Sequence, residues 1–125
     1  MSLPGHKLLL AIVVAAGLGL VGQASAYAAD GFLSVADDVP LMPGLSENPD
    51  EATVFDKPGG RIVQAVASGR LDRQALLAFY GQTLPQLGWQ PASASRFTRE
   101  AEALTLTVES RGGLLTVRFE IAPIK

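Results

Sequence analysis

Residues 72–89 read DRQALLAFYGQTLPQLGW, and here the apolar period changes from two to about 3.6. Leu76, Phe79, Tyr80, Leu84 and Leu87 fall on one face of a helix, with Arg73, Gln74, Gln82 and Gln86 on the other. Asp72 is suited to cap the N-terminus, and Leu71 with Leu76 has the spacing of a hydrophobic staple. Pro85 removes one helical hydrogen bond and presses on the carbonyl of Gly81, which predicts a kink or a tightened last turn. Gly88 then closes a helix expected over 72–87.

Strand patterns flank this helix on both sides. Upstream, ATVFD and RIVQAVAS (52–56 and 61–68) are joined by KPGG. Pro58 with its fixed φ and Gly59 with a positive one suit the centre of a hairpin turn. Downstream come SRFTR (95–99), then Leu104, Leu106 and Val108 alternating with Thr105, Thr107 and Glu109. After Arg111-Gly112-Gly113, Leu115, Val117, Phe119 and Ile121 alternate with Thr116, Arg118 and Glu120. Such alternation means one buried and one wet face. The expectation is an α+β domain over 52–125, order ββαβββ, with one helix packed on an antiparallel sheet and Trp89 and Phe97 filling the junction.

The N-terminus reads differently. Leu8–Gly22, LLLAIVVAAGLGLVG, follows a short basic start and precedes Ala24, Ala26 and Ala28, the pattern of a signal peptide over 1–28 cleaved after Ala26 or Ala28. Leu8–Ala29 carries no charge, so an uncleaved inner-membrane anchor is the rival reading; only then does the chain touch a membrane. Residues 29–51 are acidic and rich in proline, which predicts an irregular arm. Ala29–Gly60 sums to −6 and Arg61–Lys125 to +3, so Leu41, Met42 and Leu45 are candidates to dock this arm on the domain, against a solvated tail. There is no cysteine, hence no disulfide and no lipid-modified cysteine at the cleavage point; the mature chain is expected to cohere by packing.

The segment LLAFYGQTLPQLGW, with Phe79-Tyr80, Leu84 and Gly88-Trp89 before a β-meander, resembles small exported alphaproteobacterial proteins of unknown function. DVPLMPGL and VFDKPGGRIV are similar to stretches of such proteins. The resemblance implies the same fold and export, and assigns no catalytic residue.

Several chemistries lack their parts. The sole histidine, His6, lies in the signal segment, so the mature chain lacks Cys–His and Ser–His pairs and the usual ligands for zinc, haem or copper. Asp37 with Asp38, or Glu47 with Asp50 and Glu51, are acidic groupings to weigh for calcium, but they sit in the arm and have no ion-loop spacing. A net charge of −2 argues against nucleic acid, which needs clustered basic groups. Arg96, Arg99, Arg111 and Arg118 are the candidate anion or partner face of the meander. The expectation is a periplasmic, non-enzymatic binding module or accessory subunit of an envelope complex, with no cofactor. A carrier of an apolar ligand between helix and sheet is the alternative, and a carboxylate-only hydrolase comes last.

Overall fold

A computed structural model describes residues 31–124; the signal-peptide and anchor readings, Ala29, Asp30 and Lys125 lie outside the described residues. The alternating apolar positions form two neighbouring ten-residue strands, β8 (Glu102–Arg111) and β9 (Leu114–Pro123). Their hairpin turns through Gly112 and Gly113, whose φ angles of 59° and 83° supply the two left-handed residues that a two-residue turn demands. On the other side of β9 lies β5 (Gly60–Gly69), which β4 (Thr53–Lys57) joins through Pro58 and Gly59. The positive φ of that turn falls on Gly60 at 137°, not on Gly59. Strands β7 (Arg96–Arg99) and β6 (Gln90–Ser93) extend the sheet beyond β8, and β3 (Ser46–Glu47) shares the far side of β5 with β4. The result is a seven-stranded sheet in the order β3-β5-β9-β8-β7-β6, with every pairing antiparallel.

Helix α1 (Arg73–Thr83) begins where Asp72 accepts from the Ala75 N–H at 3.1 Å. At Pro85 the winding tightens into a 3-10 turn over Leu84–Leu87, closed by Gly88. Leu76, Phe79, Tyr80 and Leu84 are buried to between 0% and 5% exposure, each contributing about 1.5–3 kcal/mol. Tyr80 meets Phe119 of β9 edge-on at 5.6 Å, which seats the helix on the sheet, and Trp89 and Phe97 are both buried beside it. Leu87 departs from the stripe and is 38% exposed, because the 3-10 turn advances its side chain away from the direction an α-helical turn would give.

The order ββαβββ needs correction, since five strands precede the helix and four follow it. QPAS (90–93) lies outside the strands expected from periodicity, and it forms β6, an edge strand in which the missing N–H of Pro91 costs little. Residues 31–51 are likewise more regular than their prolines predict. They form the separate hairpin of β1 (Gly31–Leu33) and β2 (Ala36–Leu41), then β3 and a short 3-10 turn at Pro49–Glu51. The hairpin has free edges, so Pro40 is tolerated in β2. It inserts Leu33, Ala36 and Val39 into the core shared with the helix and sheet. Helix and hairpin therefore cover one face of the sheet.

Candidate functional site

Strand parity separates the four arginines. Paired residues share a face, and the apolar set Phe97, Leu104, Leu106, Val117, Phe119 and Ile121 marks the covered one. Arg96 pairs with Thr105, Arg118 with Thr107 and Arg111 with Leu114, so these three lie on the uncovered face. Arg99, two residues after Phe97, lies on the covered side. The four thus do not make one face, and the reason was readable: Arg96 and Arg99 are an odd number of residues apart in one strand.

Arg99 is instead a local tie. Its guanidinium bonds the Asp38 carboxylate and the Leu87 carbonyl (3.2 Å), and it stacks 4.2 Å from the Trp89 ring. It thereby joins β2, the end of the helical segment and β7. Around it, Asp37, Asp38, Arg61 and Glu102 line a cleft of about 280 Å³ that carries both signs of charge. The acidic groupings considered for calcium have other work: Glu47 accepts from the Ser34 N–H (2.9 Å) and hydroxyl (2.7 Å), and Glu51 from the Asn48 amide (2.9 Å). Among the described residues no three His, Cys, Asp or Glu side chains gather as metal ligands.

Leu41, Met42 and Leu45 lie against this chain's own core, Leu45 buried and the other two partly so. The buried Tyr80 hydroxyl fastens the segment, donating to the Pro40 carbonyl at 2.7 Å and accepting from the Met42 N–H at 3.2 Å. Burial raises the Tyr80 pKa well above the ordinary phenol value, and the Met42 N–H opposes this in part.

The uncovered face holds the feature that sequence reading missed. At one end of the sheet Pro58, Ile62, Ala122, Pro123 and Ile124 line a largely apolar groove of about 520 Å³, with Lys57 at its rim. Phe55, paired with Ile62 on the same face, is 51% exposed, and Ile124 is 42% exposed. The signal lay in parity again: Phe55 and Ile62 fall out of phase with Val63, Ala65 and Ala67, which face the core. Elsewhere this face is mostly polar, with Gln64, Glu120, Thr105, Thr107, Thr116 and Arg118, and carries the apolar Val66, buried, and Leu114, 39% exposed at the far hairpin. Among the described residues no helix is long and apolar enough to cross a membrane. No family model, curated protein or solved structure matches the chain.

Proposed function

We propose that the chain is an exported, non-enzymatic binding module of the bacterial envelope, an accessory subunit that takes a protein partner in the groove at Ile62 and Ile124. The observation that carries this is the largely apolar groove of Pro58, Ile62, Ala122, Pro123 and Ile124, beside which Phe55 and Ile124 are exposed. Export rests on the signal-peptide pattern of residues 1–28, and the resemblance to exported proteins agrees with it. The carrier reading draws less support, because Leu76, Phe79, Tyr80 and Leu84 fill the seam between helix and sheet where the ligand was expected.

Native pull-down from an envelope extract tests the proposal, using the wild-type chain and Ile124→Asp. The expected result is one stoichiometric protein retained by the wild type and lost from the variant. A small molecule retained in native mass spectrometry, with no protein recovered, would overturn it in favour of a carrier. Turnover by the purified chain across a substrate panel would overturn the non-enzymatic reading.

A further inference from the structure

We infer that the free edge of β4 pairs with β4 of a second copy, about a two-fold axis at Phe55. The argument starts from the hairpin. Lys57 and Gly60 are paired across a two-residue loop, and such a loop makes its flanking pair mutually hydrogen-bonded. Hydrogen-bonded and non-hydrogen-bonded pairs alternate along an antiparallel ladder, so Phe55 with Ile62 and Thr53 with Gln64 are also bonded pairs. The N–H and C=O groups of Thr53, Phe55 and Lys57 are thereby spent on β5. Those of Val54 and Asp56 point the other way, to an edge that no strand among the described residues covers.

This edge carries Asp56 and Lys57 but lacks two of the usual protections. β4 has no proline or bulge, and Val54 and Phe55 are 45% and 51% exposed. The opposite edge of the sheet, β6, carries both Pro91 and a register irregularity.

Only one two-fold register uses all the free groups. An axis at Phe55 sets Val54 of each copy opposite Asp56 of the other as bonded pairs, giving four hydrogen bonds between chains. An axis at Val54 sets Asp56 opposite Ala52, whose N–H is already bonded to the Pro49 carbonyl. An axis at Asp56 puts two carboxylates face to face and Val54 opposite Pro58, which has no N–H. The favoured register also matches charge. The chain entering β4 carries Asp50 and Glu51, and its far end carries Lys57, with Asp56 set opposite Arg61 on β5. Antiparallel pairing brings each acidic end to the other copy's basic end. At the axis the two Phe55 side chains become the closely spaced, non-hydrogen-bonded pair on the uncovered face. The edge is short, so the dimer is weak and concentration-dependent. It rests on the backbone edge of β4 and not on the reading of the neighbouring groove, and the purified chain alone tests it.

The natural absence of cysteine makes the register testable. Across a non-hydrogen-bonded pair the Cα atoms lie about 4.5 Å apart, within the reach of a disulfide. The chain recovered after export, carrying Phe55→Cys, is expected to form a disulfide-linked dimer on mild oxidation. Leu114→Cys, on the same face but distant from this edge, and Asp56→Cys, on the edge but off the axis, are expected to cross-link at least tenfold more slowly. In sedimentation equilibrium, Phe55→Glu is expected to weaken wild-type dimerisation at least tenfold while leaving the circular dichroism spectrum unchanged. Equal cross-linking at positions 55 and 114 would overturn the inference. So would a wild-type chain that stays monomeric at every concentration, or a dimer indifferent to Phe55→Glu.

Discussion

Replacing Tyr80 by Phe removes one oxygen and leaves the ring contacts with Phe79 (4.9 Å) and Phe119 (5.6 Å) available. The lost hydroxyl donates to Pro40 and accepts from Met42, so the change leaves a buried carbonyl and a part-buried N–H without partners. At about 1–3 kcal/mol for such unpaired groups, the variant should lose that much at neutral pH. For a domain of this size each kcal/mol lowers Tm by about 4–8 °C. Alkaline pH provides a second, opposite signature. Burial holds the Tyr80 pKa above its unfolded value of 10.0, so the folded state keeps a proton that the unfolded state releases. Stability from this group is complete below the unfolded pKa and falls as pH rises beyond it, at up to about 1.4 kcal/mol per pH unit. The Phe variant has no such proton, and its deficit should therefore shrink above about pH 10. Urea titrations followed by fluorescence of Trp89, the sole tryptophan, measure both quantities when repeated at neutral and alkaline pH. A deficit that is absent at neutral pH, or that stays constant through the alkaline range, would refute the buried bond between helix and hairpin.

Two further substitutions probe the joints of the fold. Arg99→Met keeps an apolar stem but removes the Asp38 pair, the Leu87 bond and the stacking on Trp89; a loss of about 1–2 kcal/mol is expected, part of it vanishing at high salt, in urea titrations at two ionic strengths. A Cβ at Gly69 would lie 2.1 Å from the Gly44 carbonyl oxygen, so Gly69→Ala should cost more than about 2 kcal/mol; at Gly81 nothing lies within 4 Å, and Gly81→Ala should stabilise the helix by about 0.5–1 kcal/mol, both read from thermal melts.

The helix stripe, the two long alternating strands and their Gly112-Gly113 turn were legible because each is a local pattern with one physical reading. Period 3.6 buries one side of a helix, and period two buries one side of a strand. The N-cap at Asp72 and the disturbance at Pro85 were equally local. The extent of the disturbance was not: exposure of Leu87 depends on the tightened turn, whose geometry a helical wheel does not contain.

Residues 31–51 were misread because proline is a local signal whose cost is set by the neighbours. Pro40 removes a donor, but in a two-stranded hairpin a free edge leaves that donor unneeded. Its carbonyl then takes the Tyr80 hydroxyl from 40 residues away, a partner that no window around Pro40 reveals. The arginine face failed for another reason: Arg96 and Arg99 were read as neighbours although their odd spacing sends them to opposite sides.

By itself, the amino-acid sequence determined the elements with strong periodicity, the uncharged apolar run of residues 8–29, and the absence of cysteine. These properties follow from side-chain type and spacing along the chain. Tertiary structure decided which sheet face the helix and hairpin cover, and hence that Arg99 binds Asp38 while Phe55, Ile62 and Ile124 stay open. Strand order and register bring together residues far apart in the chain, and the same short apolar run is core or surface according to the layer laid over it.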